Sequence, residues 1–125
     1  MNEGIETFAK DGLSITVSRS HTSATMRWTG MCDARDPETI LGPLFRRLTQ
    51  ELKGLNLTID FREFEYMNSA TVSPILQFIK KLDASDTPTT LLYDCTVNWQ
   101  RINCQCMRAI ARTLNHLQVV DSASQ

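Results

Sequence analysis

A chain of 125 residues and 14.2 kDa has room for one domain rather than two. With 13 basic against 14 acidic residues the formal charge is −1, which excludes a global attraction to nucleic acid or anionic lipid. Five Gly and four Pro exclude a collagenous or low-complexity chain, and 42% hydrophobic residues suffice for a core that needs no metal or disulfide staple. The first six residues carry no basic region and no apolar run, so no secretory signal is read. No apolar run approaches the roughly 20 residues of a membrane span. A cytoplasmic protein is expected, with Cys32, Cys95, Cys104 and Cys106 as reduced thiols.

Phe8 can begin a short strand ahead of the turn signal Asp11-Gly12. Residues 13–18 alternate apolar and polar, as do residues 24–31, and the polar stretch Ser20-His21-Thr22-Ser23 lies between them. The two runs predict an antiparallel hairpin with one buried face. Asp36-Pro37-Glu38 carries the signature of a helix start: an acid at the cap, a proline in the first turn and an acid near the positive end of the dipole. Leu41, Leu44, Phe45, Leu48 and Leu52 then recur at helical spacing, with Gly54 as a C-cap; Gly42-Pro43 implies a helix that either begins there or is kinked in its first turns, and a helix over about 38–53 is favoured.

Residues 55–61 form the clearest strand, followed by a linker over 62–67 with two or three buried anchors. Asn68-Ser69 is a strong N-cap signal, and Val72, Ile75, Leu76, Ile79 and Leu82 make the apolar stripe of the next helix, which absorbs Pro74 near its start. A strand over 89–94 follows. Asn98 can cap a third helix with Trp99, Ile102, Cys106, Ala109 or Ile110, and Thr113 or Leu114 facing inward. A last short strand spans 117–120, and the tail from Asp121 is polar and expected to fray. The order β-β-α-β-α-β-α-β implies parallel crossovers and an α/β sheet.

The segment from Leu57 to Val72 resembles the centre of a STAS domain, the domain shared by bacterial anti-sigma-factor antagonists and sulfate transporters. The family pattern is an apolar strand ending in Asp, a short linker with an aromatic, then Asp-Ser-Ser-Gly-Leu opening a helix. Here Asp60 ends the strand, Tyr66 is the aromatic, and Asn68-Ser69-Ala70-Thr71-Val72 opens the helix. The element order and the Trp99-Gln100 pair ahead of the third helix agree. The resemblance implies an α/β, STAS-like sheet of four to five mixed strands with three to four helices. It implies a single domain over 1–125 with its core over 13–120.

The resemblance also implies function. It points to a non-enzymatic module like the short single-domain regulators of cyanobacteria and proteobacteria, docking onto a partner protein through residues 68–72. That partner is expected to be a serine kinase and anti-sigma factor of the histidine-kinase-like ATPase type, or a phosphatase acting on the same switch. An accessory subunit of an ABC-type membrane transport ATPase is the alternative, and a homodimer is compatible with either. The family's phosphoacceptor column holds Ala70, which has no hydroxyl. Ser69 and Thr71 flank it and are the remaining candidate acceptors, where phosphate would add close to two negative charges at a helix N-terminus.

Plainer readings stand beside these. Asn68-Ser69 can serve as a helix cap alone. Asp60 can meet a cation or a phosphate-carrying partner, or satisfy nearby backbone N–H groups. Arg101, Arg108 and Arg112, at i, i+7 and i+11, form a basic face open to an acidic partner or to solvent. No aromatic platform accompanies it, so no nucleic-acid partner is expected. Cys104 and Cys106, two residues apart on a helix, point about 200° away from each other and cannot share a metal even with His116 nearby. Neither a metal nor a cofactor is expected. No phosphate loop, nucleophile elbow or paired-acid motif is present, so no catalytic residue is assigned.

Overall fold

In this computed structural model, which describes residues 4–122, strands and helices follow one another as β1 (Gly4–Lys10), β2 (Leu13–Arg19), β3 (Ser23–Cys32), α1 (Pro37–Glu51), β4 (Asn56–Asp60), β5 (Phe64–Met67), α2 (Ser69–Ala84), β6 (Thr89–Tyr93), α3 (Asn98–Ala111) and β7 (Leu117–Asp121). The seven strands form one mixed sheet in the order β1-β2-β3-β4-β6-β7, with β5 paired to the far end of β3. β1, β2 and β3 are antiparallel neighbours, and every later pairing is parallel.

The strand count exceeds the four to five expected from sequence, at two places. The strand beginning near Phe8 is a full seven residues, joined to β2 by a two-residue turn. Asp11 (φ 50°) and Gly12 (φ 89°) are both left-handed, as a tight hairpin requires. The expected linker over 62–67 contains β5, whose Phe64 and Met67 are the buried anchors and whose register against β3 shifts between Gly30 and Met31. Gly30 has φ 76°, and a Cβ there would lie 1.9 Å from the Gly12 carbonyl oxygen, so only glycine permits the turn to close over β3. The tail also differs from expectation. Asp121 is the last residue of β7, paired with Tyr93, and residues 123–125 lie outside the described part.

β3, β4, β6 and β7 are laid down in one direction across the sheet. Right-handed crossovers taken repeatedly in one direction place every connecting helix on the same face. Side-chain contacts agree: Trp28 on β3 meets Phe45 of α1 and Phe64 of β5, Phe45 stacks on Phe78 of α2 at 4.3 Å, and Phe64 meets Trp99 of α3. On this side Ile15, Trp28, Met26, Ile59 and Leu91 are buried. The opposite face carries the alternate residues Thr16, Thr25, Thr58 and Thr90, all half-buried and uncovered by any helix.

α1 runs unbroken through Gly42-Pro43, ends at Glu51 with Leu52 as its cap, and leaves Gly54, at φ 83°, two residues beyond. Its Arg47 reaches Glu6 of β1 at 2.8 Å and Glu51 at 3.1 Å, and Arg19 of β2 reaches Glu51 at 2.8 Å. Hydrogen bonds from Arg47 hold the Glu6 carboxyl below its usual range, so the ion network ties the hairpin to the helix. In α2 the inward stripe is Thr71, Pro74, Ile75, Phe78, Ile79 and Leu82, with the expected Val72 and Leu76 half-buried at its margins.

α3 departs further from its expected face. Trp99, Ile110 and Leu114 pack half-buried against the core as expected, but the fully inward residues are Gln100, Asn103, Cys104 and Met107, whereas Ile102 is 53% exposed and Cys106 is exposed. Val97 rather than Asn98 occupies the cap position, without a side-chain bond. The helix is instead rotated by buried polar partners. Gln100 accepts the Asp94 N–H at 2.8 Å and donates to the Phe64 and Arg62 carbonyls at 3.2 and 3.3 Å, and the Tyr93 hydroxyl bonds Asn103 Oδ1.

Candidate functional site: the first turn of α2

The turn predicted from Asn68 to Val72 is built by the cap. Asn68 accepts the Thr71 N–H on Oδ1 at 3.1 Å and donates from Nδ2 to the Ala34 carbonyl at 2.9 Å, while its own N–H reaches the Cys32 carbonyl at 2.9 Å. One side chain therefore closes the helix end and pins it to the segment leaving β3. Thr71 is fully buried, and its hydroxyl lies 2.6 Å from Asn68 Oδ1 and 3.2 Å from Cys32 Sγ. Ser69 and Ala70 are exposed.

The two hydroxyls flanking Ala70 thus have different surroundings. Thr71 is spent inside the cap, and Ser69 faces solvent. Pro74 has no N–H to offer the Ala70 carbonyl four residues earlier, so that oxygen forgoes the ordinary i to i+4 helical bond. Replacing Thr71 with Val should cost about 1–2 kcal/mol, because a buried hydroxyl bond is lost, while Ser69→Ala should stay within about 0.5 kcal/mol. Urea unfolding of the two variants checks the contrast, and equal losses would contradict this division of labour.

Of the supporting residues, Tyr66 is brought beside the turn. It pairs with Met31 across β3 and β5, and the two are 45% and 37% exposed. Beneath the adjoining segment a cavity of about 270 Å³ opens between Lys10, Met31, Cys32, Asp33, Ala34 and Ile40. Asp60 is not brought to the turn: only 4% exposed, it forms a two-point ion pair with Arg62 at 2.9 and 2.8 Å and accepts the Arg62 N–H at 3.0 Å. Burial pushes its carboxyl up, but the hydrogen bonds and charge of Arg62 outweigh that and hold it below its ordinary 3.8.

A carboxyl lowered in the folded state contributes stability that is complete above its unfolded value and is lost as pH falls through the folded one. The stability gap between the protein and its Asp60→Asn variant should therefore be widest near neutrality and shrink as pH falls below the ordinary carboxylate range. Chemical denaturation at pH 7, 4 and 2.5 measures it. A gap independent of pH would remove the carboxylate from the account.

Arg101 and Arg108 are exposed on α3, and Arg112 is exposed at its C-cap. The Arg101 guanidinium bonds Asn98 Oδ1, and among the described residues none of the three touches the α2 turn through a hydrogen bond or ion pair. All four cysteines are free. Burial and the neighbouring Cys104 thiol push Cys95 up to about 12, so it stays protonated and unreactive. No group of three or more potential metal ligands converges among the described residues, and no described helix is long and apolar enough to cross a membrane.

Sequence reading missed the two receivers of Asn68. Cys32 was within reach: the inward alternation of Ala24, Met26 and Trp28 on β3 continues to it. Ala34 contributes through its backbone and leaves no signal.

No protein-family model and no curated protein matches the chain. Solved structures do. An anti-sigma factor antagonist from Mycobacterium paratuberculosis superposes with a TM-score of 0.57 at 15% identity, over 88% of each chain. The anti-sigma factor antagonist SpoIIAA, in its unphosphorylated form, superposes with a TM-score of 0.58 at 13% identity, over 88% of this chain and 90% of that one. The fold is that of the anti-sigma-factor antagonists. Within this STAS-like fold, the first turn of α2 is capped by Asn68, displays Ser69 and Ala70, and keeps Thr71 inside.

Proposed function

We propose that the protein is a non-enzymatic regulatory module that docks a partner protein through the first turn of α2, in the manner of an anti-sigma-factor antagonist. The partner class that fits this reading is a serine kinase and anti-sigma factor, or a phosphatase that opposes it. The observation that carries the reading is the turn itself, a capped helix end presenting the exposed Ser69 and Ala70 beside Tyr66. Ala70 offers no phosphoacceptor, and the Thr71 hydroxyl is inaccessible, so docking proceeds without phosphate at either position.

Affinity capture with the full chain as bait, followed by intact-mass analysis after incubation with the captured kinase and ATP, tests both parts. Capture of a kinase-type ATPase without a mass change is expected. A stoichiometric gain of one phosphate would overturn the phosphate-independent version and direct attention to Ser69. Capture of an ABC-type ATPase instead would overturn the partner class.

A further inference from the structure

A second feature lies at the other end of the strands. On the helix-free face Ser18, Thr25, Thr58, Thr90 and Gln118 stand directly opposite one another across β2, β3, β4, β6 and β7. Neighbouring strands are about 4.8 Å apart, so these side chains form a row of evenly spaced hydroxyl and amide groups. Towards β7 the row runs into an open cavity of about 400 Å³, floored by Thr58, Thr90 and Gln118, rimmed by Asn56, Asn115 and His116, and partly apolar through Leu57, Pro88 and Leu117. No Asp, Glu, Lys or Arg lines it.

The rim is fixed. Asp83 of α2 accepts the N–H groups of Asn115 and His116 at 3.0 and 2.6 Å, and the His116 ring meets Asp86 at 3.1 Å. The floor is unspent: the Thr58, Thr90 and Gln118 side chains make no hydrogen bond to protein among the described residues. Carboxamides and hydroxyls each both donate and accept, so the cavity offers a ligand several neutral partners, and its one titratable lining group, His116, already faces Asp86. A charged ligand would lose its hydration without a paired charge in return, whereas a neutral one bearing several hydroxyls exchanges like for like. The volume falls within the range of small-molecule sites.

We propose that this cavity binds an uncharged, polyhydroxylated small molecule, a sugar or polyol. The nine steps of β3 between Ser23, at the cavity end, and Cys32, beneath the α2 turn, put the two sites roughly 30 Å apart.

The experiment is a backbone amide NMR titration of the full chain with D-glucose, alongside glucuronate and glucosamine as charged probes of similar shape. Glucose should move the Thr58, Thr90, His116 and Gln118 amides saturably in the millimolar range, with both charged sugars weaker. Thr90→Val, which removes one floor hydroxyl, should weaken glucose by roughly five- to tenfold, and Thr25→Val, in the same row outside the cavity, should leave it unchanged. The dispersion of each variant's spectrum reports that it is folded. Absence of saturable shifts up to 100 mM, equal binding of the charged sugars, or equal effects of the two variants would overturn the proposal.

Discussion

Trp28→Ala is expected to remove about 3–5 kcal/mol of unfolding free energy, a large part of the roughly 5–15 kcal/mol available to a domain of this size. Trp28 is 1% exposed and sits where three elements meet, with ring centroids 5.3 Å from Phe64, 5.4 Å from Phe61 and 6.1 Å from Phe45. Truncation leaves a void that rigid neighbours on the sheet and on α1 cannot collapse to fill. Its Nε1–H has no hydrogen-bonding partner among the described residues, so Trp28→Phe forfeits volume but also discards an unsatisfied donor. The Phe variant should lose less than half as much. A denaturant series on both variants separates the two contributions. Equal losses would mean that ring packing around this position is not what holds the core.

The second large effect is expected at Gln100. Leucine there keeps the bulk but strands the Asp94 N–H and the Arg62 and Phe64 carbonyls, at a cost of about 2–4 kcal/mol. The neighbouring Arg101→Leu, on the exposed side of α3, should stay within about 0.5 kcal/mol. Thermal unfolding should separate the pair by about 5–15 °C. If the two behave alike, α3 is held by its apolar contacts alone and the polar clasp between β6, α3 and the loop before β5 contributes nothing measurable.

The same residue explains where sequence reading stopped. The order of the three helices and five of the strands, the Asn68 cap and the inward faces of β2, β3 and α1 follow from period and cap chemistry, and all are present in the structure. The face of α3 follows only in part. Apolar periodicity selects Ile102 and Cys106 alongside Trp99, Ile110 and Leu114, and only the last three pack against the core, while Gln100 is drawn inward by a carbonyl 36 residues away, which no local window contains. β5 was illegible for a related reason: four residues with a register shift show no alternation, and only the far end of β3 makes them a strand. At the α2 turn the residue types were legible, and the inequality between Ser69 and Thr71 was not. It depends on Cys32, nearly forty positions upstream, closing over one hydroxyl and leaving the other open.

The one-sided layering has a consequence for how the chain can change over generations. Substitutions on the helix-bearing face are coupled through a shared core, so each constrains the next. Away from Thr58, Thr90 and Gln118, the outer row needs only residues that suit a pleated, half-covered surface, a condition that Thr, Val and Tyr all meet. The molecule therefore keeps a reserve of positions where new recognition chemistry can be tried one residue at a time, about 30 Å from the turn whose geometry must be preserved.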